Sequence, residues 1–124
     1  MNFDAKILIV DDELPARKLL MGYLQKIGYE NLTDVDSAEK AIQKLCIEKF
    51  DLVISDWNMP QMTGLEFYQL ITERELITGV PFLMVTSVNE KDNVLKAIKM
   101  GVQGYIIKPF DVETLQDKID DVLK

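Results

Sequence analysis

The sequence predicts a doubly wound α/β domain, in which a parallel five-stranded sheet carries helices on both faces. Two observations lead to this fold class. Short runs that are apolar at successive positions suit parallel strands, because such strands are buried on both sides. These runs alternate with segments whose apolar residues recur at helical spacing, and right-handed crossovers then place the helices on both faces of the sheet.

The first half of the chain contains two predicted strand–helix units. Residues 7–10 form the first apolar run, and a helix follows with Pro15 in its first turn and Gly28 at its end. Residues 32–35 have polar interruptions that suit an edge strand. A second helix follows, with Asp36 as the expected cap of a capping box. Its apolar stripe, which we expect to be buried, consists of Ala38, Ala41, Ile42, Leu45 and Cys46.

The second half repeats this pattern three times. Residues 52–54, 82–85 and 105–107 are the predicted strands. Gly101 is expected to end the fourth helix, and Asp111 is expected to cap the fifth. The three helices are marked by Leu65, Tyr68 and Ile71, by Val94, Ala97 and Ile98, and by Val112, Leu115, Ile119, Val122 and Leu123.

Composition and charge narrow the functional classes. The 124 residues are 48% hydrophobic, which suits one domain spanning residues 1–124, and the formal net charge is −7. The chain has no histidine and one cysteine, which excludes imidazole catalysis, the usual zinc sites and an intramolecular disulfide. The acidic balance argues against direct nucleic-acid binding. No signal peptide or membrane-spanning run is visible, so we expect a soluble, cytoplasmic protein without membrane insertion.

Polar residues follow the predicted strands at the point where each strand ends. Asp11 and Asp12 follow the first strand, Asp56 the third, Thr86 the fourth and Lys108 the fifth. Ligands of open α/β sheets bind at this carboxyl edge. If the first and third strands are neighbours, three carboxylates converge and repel each other by about 4 kcal/mol per pair at an effective dielectric constant near 20. We therefore expect a compensating Mg²⁺ ion with oxygen ligands.

The lysine and the hydroxyl group at this edge suit a phosphoryl group. Lys108 supplies a counter-charge and Thr86 a hydrogen bond, so Asp56 can act as a nucleophile that forms an acyl phosphate. Each residue alone also has a structural explanation: the acidic pair as a helix N-terminus, the threonine and lysine as ordinary strand-end and surface groups. Five such residues at matching strand ends favour a functional site.

The same residues occur in a pattern that resembles a known family. They resemble the site of the receiver domains of bacterial two-component response regulators, and within that family the single-domain chemotaxis type. The resemblance spans the whole chain, and it implies the flavodoxin-like (βα)5 fold with strand order 2-1-3-4-5. The residues that carry it are Asp11, Asp12, Asp56, Thr86, Lys108 and Pro109, with the segments 53–60, 83–86 and 104–110.

The resemblance implies a set of metal and phosphoryl ligands. Asp56 would be the phosphoacceptor. Asp12, Asp56 and the backbone carbonyl of Asn58 would bind Mg²⁺ directly, and Asp11 would act mainly through water. Lys108 would pair with the phosphoryl group and with the carboxylates.

The resemblance also implies a conformational switch. Thr86 would move towards a phosphoryl oxygen and Tyr105 would swing inward behind it, although from the residues alone Tyr105 reads as a strand aromatic packed on the fourth helix. The Lys108–Pro109 bond would be cis. Asn58 and Val88 would tune the loss of the phosphoryl group, and we expect the apolar Val88 to slow it.

The implied function is that of a stand-alone response regulator. A sensor histidine kinase would donate the phosphoryl group, and because this chain has no histidine the phosphohistidine must lie on another protein. The phosphorylated form would bind the flagellar motor switch through the face of the fourth helix, fifth strand and fifth helix, and a phosphatase could act on it. A phosphorelay shuttle or an adaptor receiver is the alternative. No effector domain is expected, so we expect no direct control of transcription.

Two other classes fit less well, and some positions depart from the chemotaxis pattern. A flavin carrier would need a glycine- and hydroxyl-rich phosphate loop where this chain has Asp11, Asp12 and Glu13. A small-molecule phosphatase would need a second aspartate at the place of Asn58. Glu13, Ser87 and Val88 differ from the chemotaxis proteins, and their effect on the switch is open.

Overall fold

The computed structural model describes residues 3–87 and 91–123. In these residues five strands alternate with five helices, as the apolar pattern predicts. The elements are β1 Ile7–Val10, α1 Leu14–Ile27, β2 Leu32–Val35, α2 Ala38–Ile47, β3 Leu52–Asp56, α3 Gly64–Glu73, β4 Phe82–Ser87, α4 Lys91–Lys99, β5 Gly104–Lys108 and α5 Val112–Val122.

The strands form one parallel sheet in the order β2-β1-β3-β4-β5. The predicted fold class and strand order are therefore confirmed. The order places β1 beside β3, with Val10 opposite Ser55, so the residues that follow these two positions emerge side by side. β5 lies at the far edge with Lys108 opposite Ser87 of β4. The sheet thus brings four strand ends, and the polar residues on them, to one edge.

Each face of the sheet has its own apolar core because side chains alternate along a strand. Ile7 and Ile9 point to the face covered by α1 and α5, where Leu24 and Ile119 are fully buried. The opposite face packs against α2, α3 and α4 through Leu8, Val53, Ala41, Phe67, Ile71 and Ala97. The two cores leave the carboxyl edge of the sheet to polar residues. No helix in the described residues is long and apolar enough to cross a membrane.

Several predicted helix ends agree with the structure. Gly28 ends α1 with φ of 130°, a backbone conformation that side chains disfavour, and its N–H donates to the carbonyl of Leu24. Gly101 follows α4 with φ of 96°. The Asp111 carboxylate accepts a 2.8 Å hydrogen bond from the backbone N–H of Thr114 and caps α5.

Two predictions about α2 are wrong. Ser37, not Asp36, is the cap, because its hydroxyl directly precedes the helix and accepts a bond from the Lys40 N–H at 3.1 Å. Asp36 instead pairs with the Lys40 ammonium at 3.0 Å. Cys46 is exposed, because the buried stripe of α2 is narrower than the apolar pattern and includes only Ala38, Ala41 and Leu45.

Candidate functional site

Three carboxylates converge at the carboxyl edge of the sheet. Asp11, Asp12 and Asp56 each offer an oxygen, and these oxygens all lie within 4.8 Å of one another. Asp11 and Asp56 are buried, with 5% and 8% of their surface exposed. Three hard oxygen donors at this spacing fit the ligand preference of Mg²⁺, which binds few carboxylates and keeps several waters. The side chains of Asp11, Asp12 and Asp56 are therefore placed where they could hold a metal ion. Asn58, the fourth expected ligand, lies two residues after Asp56, in the loop that follows β3.

The cluster also contains a cation. The Lys108 ammonium lies 3.0 Å from Oδ1 of Asp56 and 4.0 Å from Oδ2 of Asp11. Lys108 reaches them from the end of β5, the edge strand, and its side chain is 38% exposed. The Lys108 ammonium therefore contacts two buried carboxylates while its side chain remains partly exposed to solvent.

Burial and neighbouring charges shift the pKa values of Asp11, Asp56 and Lys108. Burial raises the pKa of Asp56 to about 6, although the hydrogen bond and charge of Lys108 act in the opposite direction. Burial also raises the pKa of Asp11 above its usual range, against the lowering effects of the Glu13 N–H and Lys108. Burial alone would lower the pKa of Lys108, but its contact with Asp56 and the nearby acidic charges outweigh burial and raise it. Ionisation of these two buried carboxylates therefore costs free energy, and a bound cation would offset that cost.

A residue that the sequence analysis did not single out holds the acidic turn in place. Arg17 of α1 donates from Nη1 to the backbone carbonyl of Asp11 at 2.7 Å, and its Nε donates to the Asp34 carboxylate at 3.0 Å. The Asp11 side chain accepts a 2.9 Å bond from the Glu13 N–H, which closes the turn after β1. An arginine one turn inside a helix that follows an acidic pair was the available sequence signal.

The loop after β3 is held by close backbone packing at Gly64. The Gly64 N–H donates to the carbonyl of Trp57 at 2.7 Å, and the Trp57 N–H donates to the carbonyl of Val85 at 2.8 Å. A Cβ at Gly64 would overlap the carbonyl oxygen of Asp56 and lie 2.9 Å from the Met84 sulfur. Only glycine therefore lets α3 begin this close to Asp56, a requirement that the sequence analysis missed. α3 itself starts with a complete capping box between Thr63 and Glu66.

The expected switch residues lie on the two strands beyond Asp56. Thr86 is 2% exposed near the end of β4, and Ser87 is the last residue of that strand. Tyr105 on β5 is half-buried, with the Lys118 ammonium 4.9 Å from its ring centroid. The Lys108–Pro109 peptide bond is cis. Val88, the second expected tuning residue, lies outside the described residues.

Comparison with known proteins decides the family. Residues 7–120 match the response regulator receiver domain. The chain belongs to this family. It is 35% identical over 119 residues to the chemotaxis protein CheY of Pseudomonas aeruginosa, covering 96% of each chain. It is 36% identical over 124 residues to the chemotaxis protein CheY-3 of Vibrio cholerae, covering 100% of this chain and 95% of that one.

Solved structures give the same result. The chemotaxis response regulator CheY4 of Vibrio cholerae superimposes with a TM-score of 0.87 at 34% identity, over 97% of this chain and 99% of that one. A response regulator from Chloroflexus aurantiacus, described as putative, superimposes with a TM-score of 0.90 at 26% identity, over 97% and 98% of the two chains. The sequence resemblance to receiver domains is therefore confirmed, and the chain is a CheY-like receiver.

Proposed function

We propose that this receiver is a phosphorylation switch in which Asp56 accepts a phosphoryl group from a phosphohistidine of a sensor kinase. The proposal rests on one contact: the Lys108 ammonium lies 3.0 Å from Oδ1 of Asp56, inside a cluster of three carboxylates. Asp56 is the member of the cluster that touches Lys108 most closely, so the ammonium can hold an incoming phosphoryl oxygen beside the attacking carboxylate.

The remaining residues have complementary tasks in this mechanism. Asp11, Asp12 and Asp56, with the carbonyl of Asn58, would hold Mg²⁺, which when bound neutralises the charge that builds up between carboxylate and phosphoryl oxygens. The attack of an Asp56 oxygen on phosphorus forms an acyl phosphate. Thr86, buried near the end of β4, would then donate its hydroxyl to a phosphoryl oxygen.

We also propose that the phosphoryl group controls binding of a protein partner on the face of α4, β5 and α5. This face exposes three large apolar side chains, Leu95 and Ile98 on α4 and Ile107 on β5. Exposed apolar groups on adjacent elements are typical of interaction surfaces. By analogy with the chemotaxis relatives, the partner is the flagellar motor switch, reached in the cytoplasm, and a phosphatase ends the signal. A phosphorelay shuttle or adaptor receiver is the alternative.

Trp57 provides the test of phosphorylation. It is 7% exposed and adjacent to Asp56, so its emission should respond to charge and ligands at the site. We expect quenching by Mg²⁺ and a further change with acetyl phosphate, phosphoramidate or beryllofluoride. Both changes should disappear in Asp56→Asn and persist in Asp117→Asn, an exposed aspartate of α5. A wild-type protein that responds to neither addition would refute the proposal.

The partner is tested separately. The beryllofluoride form should bind a motor-switch protein, and Leu95→Ser should weaken that binding. Ile47→Ser, which alters an exposed apolar residue on α2, should not weaken it. Phosphoryl transfer to a histidine phosphotransfer domain without motor-switch binding would instead support the relay alternative.

Val88→Glu should accelerate loss of the phosphoryl group if an apolar residue there shields it.

A further inference from the structure

A groove of about 360 Å³ lies between α2 and α3, on the face of the sheet opposite α1 and α5. Its floor is apolar and is formed by Ala38, Ile42, Met62 and Leu70. Ala38 is buried, but the other three side chains are only partly buried, so hydrocarbon from both helices remains in contact with water. A groove of this kind between two helices is suited to bind a third, amphipathic helix.

The two ends of this groove carry opposite charges. Each helix begins beyond the carboxyl end of a strand, so Glu39, in the first turn of α2, lies toward the carboxyl edge of the sheet. Arg74, the residue that ends α3, lies toward the opposite edge. Both residues are exposed, and neither forms an ion pair with any other residue that the structure describes. A complementary helix therefore needs a basic group near Glu39, an acidic group near Arg74 and apolar side chains between them.

The exposed face of α4 has this pattern. Asp92 lies in its first turn and Lys99 in its last, and between them Leu95 and Ile98 are 59% and 53% exposed. Residues three or four apart share one face of a helix, so these four side chains form a single stripe. From Asp92 to Lys99 the stripe covers about 10 Å along the helix axis, which fits within the length of α3, about 15 Å.

We propose that α4 of one copy of this protein binds in the groove between α2 and α3 of a second copy. In this contact α4 runs antiparallel to both helices, so that Asp92 meets Arg74 and Lys99 meets Glu39. The two apolar side chains of α4 then cover the floor of the groove. The antiparallel arrangement is also electrostatically favourable, because the dipole of α4 opposes those of α2 and α3.

The contact joins two different surfaces, so it does not form a closed symmetric dimer. Each copy keeps an unoccupied groove or an unoccupied α4, and the assembly grows head to tail. A single helix in a single groove is smaller than a standard protein interface, so we expect weak association that depends on protein concentration. No phosphoryl group takes part, and the contact goes beyond the proposed function. The exposed side chains of α4 also belong to the face proposed for the protein partner, so self-association and partner binding exclude each other.

Sedimentation velocity of the full-length, unmodified protein tests for the association. We expect the average sedimentation coefficient to rise with protein concentration, and the rise to shrink when salt is added, because the two end contacts are ionic. Leu95→Ser removes hydrocarbon that the contact buries, so it should weaken the association roughly tenfold. Ile47→Ser, an exposed apolar residue of α2 that does not line the groove, is the control and should leave the association unchanged.

An exchange of charges tests which surfaces meet. Arg74→Glu and Asp92→Lys should each weaken self-association by about tenfold or more, because like charges then face each other. Mixed in equal amounts, the two variants should associate as the wild type does, because the reversed groove meets the reversed helix. Lys18→Glu on α1 and Asp117→Lys on α5 reverse exposed charges on the other face of the sheet, and they should leave the association unchanged.

Three results would overturn the proposal. The first is a wild-type protein that sediments as a monomer at every concentration in low salt. The second is an association that Leu95→Ser weakens and Arg74→Glu leaves unchanged, because a symmetric contact between two α4 faces gives that result. The third is a mixture of the two charge variants that stays monomeric although each variant has the urea unfolding curve of the wild type. Recovery of the association in the mixture alone would support the proposed contact.

Discussion

The Arg17 guanidinium lies against the backbone carbonyl of Asp11, with Nη1 and the oxygen 2.7 Å apart. The same guanidinium contacts the Asp34 carboxylate at 3.0 Å, so one side chain of α1 joins the ends of two adjacent strands. Only 13% of the Arg17 side chain is exposed, which limits competition from water. The acidic turn is thus positioned by a cation that contacts the backbone of Asp11 rather than the carboxylate oxygens proposed to hold the metal.

We expect Arg17→Ala to weaken Mg²⁺ binding severalfold and to lower the free energy of unfolding by about 1–3 kcal/mol, because a half-buried carbonyl loses a charged donor. Arg17→Lys keeps the charge but cannot make both bonds, so it should recover only part of the affinity. Trp57 fluorescence in Mg²⁺ titrations and urea unfolding measure the two effects. Lys18→Ala, on the exposed side of α1, should change stability by less than about 0.5 kcal/mol. Wild-type Mg²⁺ affinity in Arg17→Ala would contradict this role.

Two glycine-to-alanine variants should have opposite effects. Gly64→Ala should destabilise the fold by about 1–3 kcal/mol, because the new methyl group meets the Asp56 carbonyl. Gly22→Ala should stabilise it by about 0.5–1 kcal/mol, because a Cβ there meets nothing within 4 Å and alanine favours the interior of α1. Urea unfolding of both variants checks the pair. Equal effects of the two substitutions would show that the close approach at Gly64 is unimportant.

The stability of the metal-free protein should depend on the ionisation of Asp56. Its pKa in the folded state is about 6, above the unfolded value of 3.8, so the protonated form is favoured by folding. This contribution is fully present below pH 4 and is lost as the pH rises through 6. The stability of Asp56→Asn relative to the wild type should therefore rise by about 2 kcal/mol between pH 4 and pH 7. Urea unfolding in a chelator measures it, and a difference that does not change with pH would contradict the prediction.

Removal of Lys108 should make the protein depend more strongly on Mg²⁺. Lys108→Met keeps an unbranched side chain but leaves the buried Asp56 and Asp11 without their nearest cation, so the metal-free variant should melt at a lower temperature. Added Mg²⁺ should then raise its melting temperature by more than it raises that of the wild type. Thermal unfolding with and without Mg²⁺ checks this, with Lys99→Met as the control for loss of one exposed positive charge. An equal Mg²⁺ effect in both proteins would show that Lys108 does not compensate the carboxylates.

The elements and the acidic cluster could be predicted because their signals are local. Runs such as residues 7–10 are apolar at every position, and Asp11 and Asp56 each stand at the end of such a run. The wrong predictions concern α2, where the apolar stripe suggested a buried Cys46 and the polar run suggested Asp36 as the cap. Both depend on the angle at which the helix meets the sheet and on the residue at which it begins, and periodicity does not specify either to within one residue.

The amino-acid sequence by itself determined which residues form strands and helices and which polar groups stand at strand ends, because hydrophobic periodicity and chain order are properties of neighbouring residues. Only the tertiary structure decided that Arg17 reaches both Asp11 and Asp34, that Gly64 must be glycine beside Asp56, and that α2 and α3 form an apolar groove between them. These contacts connect elements far apart in the chain. They depend on how α1, α2 and α3 pack around the sheet, and packing distances of a few ångströms are set by the whole fold rather than by any segment of it.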